Sequence, residues 1–251
     1  MKISIITASY NSAKMLRNAI ESVLNQSYQN IEYLIIDGDS TDESVEIIQS
    51  YEVKFNGKLR WISEPDKGIY DALNKGILLA SGDIIGVLHS DDVFASNDSL
   101  WHVHEAFTRS AADVVYGDLV YVKQSNPSQV IRYWRSNPFT PSLLFRGWMP
   151  PHPTVFVTKE MYQKHGLFDP AFSISADYDL LLRIFRDPLL HGVYLPEVIT
   201  RMTLGGMSNR NLSNILIKSK EDYRALRKNG FPHAWWILLM KNLSKLTQFI
   251  H

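Results

Sequence analysis

The chain has 251 residues, 45% of them hydrophobic and 21% charged, enough to bury one substantial core with a C-terminal appendage. Lys plus Arg and Asp plus Glu both number 26, so there is no bulk basic field of the kind that draws a protein to nucleic acid. Cysteine is absent, which excludes disulfide frameworks, thiol nucleophiles and cysteine-ligated zinc and fits a reducing cytoplasm.

Lys2 to Ala8 forms a β-branched run that opens the chain directly, with no basic segment, apolar core and cleavage site before it. No apolar stretch approaches the roughly 20 residues of a bilayer span. A cytoplasmic location is expected. Ser9 to Ser12 interrupts the first strand, and Met15, Ala19, Val23 and Leu24 then fall at helical spacing with Ser12 as candidate cap. Ile31 to Ile36 repeats the design, followed by an acidic turn from Asp37 to Asp42 and a helix carrying Val45, Ile47 and Ile48. Leu59 to Ile62 is a third strand, and the loop Ser63 to Gly68 leads to a helix through Leu73, Ile77 and Leu78.

The fourth strand, Ile84 to Leu88, stops abruptly on His89, Ser90, Asp91 and Asp92. Strand, polar loop and helix repeated in this way predict parallel strands whose C-terminal loops share one edge. Tyr10, Asn11, Asp37, Asp39, Asp66, Asp91 and Asp92 then converge on one crevice. Adjacent carboxylates repel, and a hard divalent cation relieves that repulsion while carrying a diphosphate. The alternative is a solvated loop with Asp residues capping helices.

The second half is less regular. Asp113 to Gly117, Leu119 to Val122 and Thr154 to Val157 read as strands, and Asn126 to Tyr133 as a hairpin or loop. Phe139 to Pro153, rich in Pro, Trp and Phe, reads as an ordered loop over an apolar surface. Lys159 to His165 reads as a helix, Ile174 to Asp179 starts another whose Leu181, Leu182, Ile184 and Phe185 form a buried face, and the chain ends as two helices broken near Gly230-Phe231-Pro232.

Several ordered motifs resemble the family 2 inverting glycosyltransferases, particularly bacterial exopolysaccharide, lipopolysaccharide and colanic-acid-type enzymes. They are ITASYN at 6–11, IIDGDSTDES at 35–44, SEPDKGIYDALNKGI at 63–77, ASGDIIGVLHSDD at 80–92, SADYDLLLR at 175–183 and GGMS at 205–208. The resemblance implies an α/β GT-A fold, a Rossmann-like nucleotide-diphospho-sugar transferase architecture with a mostly parallel central sheet flanked by helices. It covers residues 1–210, with a nucleotide-sugar half at 1–110, an acceptor half at 111–210 and a helical extension at 211–251.

On this resemblance the donor site comprises Ala8, Tyr10, Asn11, Asp37, Asp39, Asp66, Lys67, His89 and Ser90, with Tyr10 near the nucleobase and Asp37 in the turn that meets base and ribose. Many relatives read Asp-Asp-Gly-Ser where this chain has Asp37-Gly38-Asp39-Ser40, so the second aspartate is missing and uracil specificity is open. Relatives present Asp-x-Asp where this chain has His89-Ser90-Asp91. Asp91 is the expected ligand for Mn²⁺ or Mg²⁺. His89 could hydrogen-bond ribose, hold a metal-bound water or ligate directly, and Asp92 lies behind the ligand or caps a helix.

Transfer with inversion needs a base for the acceptor hydroxyl and stabilisation of the departing diphosphate. Asp177 matches the family's base, with Asp179 as competitor or as a helix N-terminal charge. Arg183 is a salt-bridge or phosphate candidate, His152 could line the acceptor side, and Gly205 to Ser208 could fold over the diphosphate or form only a turn. Expected partners are a nucleotide-diphosphate sugar and a glycan or lipid-linked saccharide acceptor, without nucleic acid, and an oligomer is compatible with the sequence. Residues 211–251 carry seven Lys or Arg against two acidic residues beside a Trp-rich run, which suits either an anionic membrane surface or packing on protein. A sugar nucleotidyltransferase lacks its Gly-rich loop here, and a glycoside hydrolase does not explain four acidic strand ends. A catalytically silent sugar-nucleotide or glycan-binding module remains the alternative.

Overall fold

The computed structural model describes residues 1–203 and 212–244. Its first half follows the strand–loop–helix pattern: β1 (Ile3–Ser9), α1 (Ala13–Leu24), β2 (Ile31–Asp37), α2 (Ser44–Tyr51), β3 (Leu59–Ser63), α3 (Ile69–Leu79) and β4 (Ile84–Val87). β1 pairs in parallel with β2 and β4, and β2 with β3. Every residue of β1 and β2 is buried, as β-branched strands covered on both faces require. The buried stripe of α1 is Leu16, Ala19, Ile20 and Val23, one position round from the Met15 phase, which leaves Met15 beside the cleft described below. Close approach of α3 to β1 depends on Gly76, where a Cβ would stand 2.4 Å from the Ile6 side chain.

The second half comprises β5 (Asp92–Phe94), α4 (Ser99–Ser110), β6 (Val114–Lys123), β7 (Asn126–Trp134), β8 (Phe156–Thr158), α5 (Lys159–His165), α6 (Ala176–Phe185), β9 (Gly192–Thr203), α7 (Leu212–Lys228) and α8 (Ala234–Ser244). The strand order is β3-β2-β1-β4-β8-β6-β9-β5, with β7 paired to β6. The α/β class holds, but the sheet is mixed rather than mostly parallel. β8 runs antiparallel to both β4 and β6, β7 is antiparallel to β6, and β5 is antiparallel to β9.

The two strands read at 113–117 and 119–122 are one strand, with a register irregularity beside Gly117, where a Cβ would meet Ile199 at 2.5 Å. β9 went unread because Pro196 and Glu197 break its apolar pattern, yet it pairs along β6. The aromatic loop covers apolar surface as expected: Phe139 and Trp148 pack edge-on against Phe185, with ring centroids 4.9 and 5.5 Å away.

The C-terminal helices are built into the domain. α7 packs on α6, burying Ala225 and Leu226 completely, and α8 buries Ala234 and Ile237. Lys241 of α8 is 4% exposed and pairs with the buried Asp222 of α7 at 2.8 Å, so the basic surplus of this segment is partly spent inside the fold. No described helix is long and apolar enough to cross a membrane.

Candidate active site

One large cleft, about 1250 Å³, opens at the C-terminal ends of β1, β2, β3 and β4. Ala8, Tyr10, Asn11, Asp39, Asp66, His89, Ser90, Asp91, His152 and Asp177 all line it, so most of the sequence-predicted residues meet there. Asp37, Lys67, Asp92, Asp179 and Arg183 do not line it.

Hydrogen bonds stitch the strand-end loops into one rim. Asn11 and Asp39 adopt left-handed conformations, at φ of 48° and 64°, which Asn and Asp tolerate best among residues with a Cβ. The Asn11 amide N–H donates to Ser40 Oγ at 2.8 Å, and its side-chain oxygen accepts from Thr41 N–H at 2.9 Å. Ser12 is no cap for α1; its hydroxyl bonds the Tyr10 carbonyl and meets Ser90 Oγ at 3.1 Å, tying the first loop to the fourth.

Asp37 was expected to touch base and ribose. Instead it is wholly buried and accepts from Ser40 N–H and Oγ and from Ser63 Oγ at 2.6 to 2.9 Å. It shapes the acidic turn rather than meeting a ligand. Gly38 has a local cause as well. A Cβ there would lie 2.5 Å from Asp66 Oδ2 and 3.4 Å from the Tyr10 ring. The space a second aspartate would need is thus filled by the carboxylate of Asp66, whose other oxygen accepts from Gly68 N–H at 2.7 Å. Tyr10 is 64% exposed at the same rim.

At the floor, four side chains form a continuous series. His89 Nε2 and His152 Nε2 are 2.9 Å apart, His152 Nδ1 is 3.1 Å from Asp177 Oδ2, and Tyr70 Oη, which donates to the Ile174 carbonyl at 2.5 Å, also lies 3.3 Å from Asp177 Oδ1. Burial pushes His89 below the usual histidine range and His152 down to about 4, so both rings are neutral at pH 7. Burial alone would raise Asp177, but the His152 ring once it is protonated in acid, the charges of Lys218 and Lys241 and the Tyr178 amide outweigh it and keep the carboxyl below its ordinary value. An ionised Asp177 fixes the tautomers: His152 donates through Nδ1, its Nε2 accepts, and His89 donates through Nε2. Lys218 of α7 lines the same cleft, and its own pKa is raised because the nearby carboxylates Asp177 and Asp222 overcome its burial.

Asp177 stands in the first turn of α6, and a distant residue holds that turn. Glu221 of α7 accepts from the N–H groups of Ser173, Ile174 and Ser175 and from Ser173 Oγ, all at 2.8 to 3.0 Å. Those bonds fix the loop that enters α6, up to its N-cap residue Ser175. Sequence reading missed Glu221, Tyr70 and Lys218. Glu221 and Lys218 sit on a polar helix face where nothing marks them out, and Tyr70 reads as a helix residue.

Asp179 points the other way. It is fully buried and receives Arg183 Nε and Lys228 Nζ, each at 3.1 Å, and Asn229 Nδ2 at 2.9 Å. Arg183 also donates to the carbonyls of His165 and Leu167, so both residues brace α6 and neither faces the cleft. Asp92 is likewise no cap. It begins β5, is 0% exposed, and neither carboxylate oxygen makes a hydrogen bond among the described residues; burial and then the Asp91 charge push its pKa well up. Lys67 is exposed outside the rim. Gly205 to Ser208 lie outside the described residues.

No group of three or more His, Cys, Asp or Glu suited to a metal occurs among the described residues. Asp91 presents its carboxylate to the cleft at the end of β4, on a lining that also carries Asp39, Asp66 and Asp177. That fits a hard cation which takes most of its oxygens from diphosphate and water.

A mixed sheet with one nucleotide-sized cleft at its strand ends defines the GT-A glycosyltransferase class. The sequence model described as Glycosyl transferase family 2 matches residues 4–167, and the chain belongs to that family; it is a glycosyltransferase. Among curated relatives it is 28% identical over 218 residues to a PGL/p-HBAD biosynthesis glycosyltransferase of Mycobacterium bovis, covering 86% of this chain and 82% of the relative. An uncharacterized glycosyltransferase of Mycobacterium tuberculosis is 33% identical over 183 residues, 72% of this chain and 68% of the relative.

Solved structures agree in fold. S. aureus TarS 1-349 in complex with UDP-GlcNAc aligns at TM-score 0.71 and 18% identity, covering 96% of this chain and 72% of that one. The mannosyltransferase PcManGT from Pyrobaculum calidifontis, in complex with GDP-Man and Mn2+, aligns at 0.69 and 15%, covering 98% and 72%.

Proposed function

We propose that the chain transfers a sugar, with inversion, from a nucleotide-diphosphate donor to a hydroxyl of a glycan or lipid-linked acceptor in bacterial surface polysaccharide or glycolipid assembly. The observation that carries this reading is an ionised Asp177, held by His152 and Tyr70, in the cleft that also contains Tyr10, Asp66 and Asp91. Tyr10 stacks on the base and Asp66 accepts a base or ribose hydrogen. Solved GT-A neighbours holding UDP-GlcNAc and GDP-Man support a donor of this kind.

The acceptor oxygen bonds to the anomeric carbon as the carbon–phosphate-oxygen bond breaks. The bonding pair leaves with the nucleoside diphosphate, and the hydroxyl proton passes to Asp177. Asp177 is committed to the anionic form by its surroundings, so it is ready for that proton at neutral pH. Asp91 would hold Mn²⁺ or Mg²⁺ together with the diphosphate, and that cation supplies charge neutralisation for the leaving group. Lys218 adds a positive charge on the same side.

Exposed Trp235, Trp236, Leu239 and Leu243 on α8, with Ile215, Leu216 and Ile217 on α7, support docking on an anionic cytoplasmic membrane face where a lipid-linked acceptor would reside. Sedimentation with liposomes with and without anionic lipid tests this; binding indifferent to lipid charge and salt retires it.

The decisive measurement is the melting temperature with UDP, GDP, dTDP and CMP, with and without Mn²⁺, for wild type, Asp91→Asn and Asp177→Asn. One diphosphate should stabilise the wild type in a Mn²⁺-dependent way that Asp91→Asn removes, while Asp177→Asn keeps binding and loses turnover. No shift with any nucleotide would favour a silent module.

A further inference from the structure

Two walls of the cleft come from distant parts of the chain. One is the start of α3 with the loop before it, where Asp66, Ile69 and Tyr70 stand; the other is the segment leading into α6, with Phe168, Ile174 and Asp177. The first carries a donor contact and the second carries the base. In an in-line displacement the acceptor oxygen, the anomeric carbon and the departing oxygen lie in a row, so these two walls must keep a fixed separation.

Asn74 fastens the walls together from behind. It lies one turn beyond Tyr70 on the same face of α3 and does not line the cleft. Its Nδ2 donates to the Phe168 carbonyl at 2.8 Å, and its Oδ1 accepts from the Phe168 N–H at 2.9 Å. One side chain thus holds both main-chain groups of a residue 94 positions away. A carboxamide offers the donor and the acceptor side by side, whereas a carboxylate at neutral pH lacks the donor.

Tyr70 adds two contacts to the same segment. Its ring stacks on Phe168, with centroids 5.4 Å apart, and its hydroxyl donates to the Ile174 carbonyl three residues before Asp177. The segment between α5 and α6 belongs to no helix or strand, so its position depends on such outside bonds. α3 itself is firmly seated. At Gly76 it lies so close to β1 that a Cβ would stand 2.4 Å from Ile6, and β1 pairs with β4, whose exit carries Asp91.

We propose that Asn74, acting with Tyr70, is a positioning residue for sugar transfer: it sets the distance of Asp177 from the donor loop and the diphosphate end. The proposal rests on the base assignment above and adds what holds that base in register with the donor. Asn74 takes no proton and touches no substrate. Its effect comes through placement, where an error of about 1 Å can cost about a hundredfold in rate.

The test compares Asn74→Ala with Ile77→Val, a buried change on the same helix at a residue that does not line the cleft, each in the full chain. Proton NMR of the metal-free protein at pH 7 reads the His152 Nδ1–H that bonds Asp177, assigned by its absence in His152→Gln. Release of nucleoside diphosphate from UDP-GlcNAc and GDP-Man, with Mn²⁺ present, reads sugar transfer to water. Both variants should melt about 2–4 °C below the wild type. Asn74→Ala should shift or abolish the His152 resonance and lower kcat about 10- to 100-fold at unchanged donor KM, while Ile77→Val keeps both at wild-type values.

Tyr70→Phe keeps the ring on Phe168 and removes only the bond to Ile174. It should lower kcat about three- to tenfold in the same pattern, and it carries the test if Asn74→Ala does not fold. A folded Asn74→Ala with the wild-type resonance and kcat would overturn the proposal, as would equal losses in Ile77→Val. A displaced resonance in Asn74→Ala, where even the wild type releases no diphosphate from either donor, would support the positioning role and count against the donor assignment instead.

Discussion

His152 shows how one residue of the cleft lining can order the carboxylate beside it. Its folded pKa, about 4, lies below the value of roughly 6.5 for a free histidine, so folding favours the neutral ring. The sign follows: the stability it contributes is complete above about pH 6.5 and is lost as pH falls through about 4. With Asp177 held ionised over the same range, kcat/KM should stay level from pH 7 to about pH 5 and fall below that, the pair titrating as a unit. A pH–rate profile with its acid midpoint near 6.5 would show the ring titrating as if free.

Asp66 gives a second test at this scale. If its carboxylate stands in for the aspartate that Gly38 excludes, Asp66→Asn should weaken nucleotide binding by about 1.5–3 kcal/mol without moving the melting temperature of the free protein. Isothermal titration measures the first and calorimetric scanning the second.

Among the elements, α6 bears most of the consequence. One side carries Asp177 into the cleft and the other plants Asp179 among Arg183, Lys228 and Asn229. Asp179→Ala leaves the half-buried Arg183 and the Asn229 amide without their carboxylate partner and should cost about 1–3 kcal/mol by denaturant titration, whereas Asp177→Asn, at a site open to the cleft, should cost less. Glu221→Ala frees the first turn of α6. Turnover should fall by about a hundredfold through misplacement of the base, while nucleotide binding persists. An unchanged kcat would remove Glu221 from its positioning role.

This helix also marks where sequence reading reaches its limit. The strand-end loops of β1 through β4 were legible because period, length and polar punctuation coincide there, and Tyr10, Asp66, Asp91 and Asp177 meet in one cleft as the motifs imply. Asp37 and Asp92 were misplaced because a carboxylate at a strand end can face inward as readily as outward: Asp37 turns in to Ser40 of its own turn and Ser63 of β3, and Asp92 is buried with no hydroxyl partner among the described residues. β9, broken by Pro196, and the cap from Glu221 depend on partners far along the chain, which no local pattern encodes.

For the whole molecule, the expected boundary at 210 separates pieces that the structure joins. α7 supplies Glu221 to the N-terminus of α6 and Lys228 to Asp179, and α8 is locked to α7 by the Lys241–Asp222 pair. A chain ended at residue 210 should therefore lose cooperative unfolding or melt well below the full chain, as followed by circular dichroism. A truncated chain with the full melting temperature would make the C-terminal helices an independent appendage.

The pairing of β5 with β9 carries a consequence for biogenesis. Asp92 lies opposite Met202, so the segment just after Asp91 acquires its sheet partner only from β9, about 110 residues later and the last of the described strands. During synthesis the nucleotide-binding loops emerge early, but the one bearing Asp91 stays unpaired until β9 has left the ribosome. On the proposed roles, a nascent chain stalled before β9 would hold the Tyr10 rim without a paired Asp91 end, so donor capture in the cell waits on the synthesis of β9.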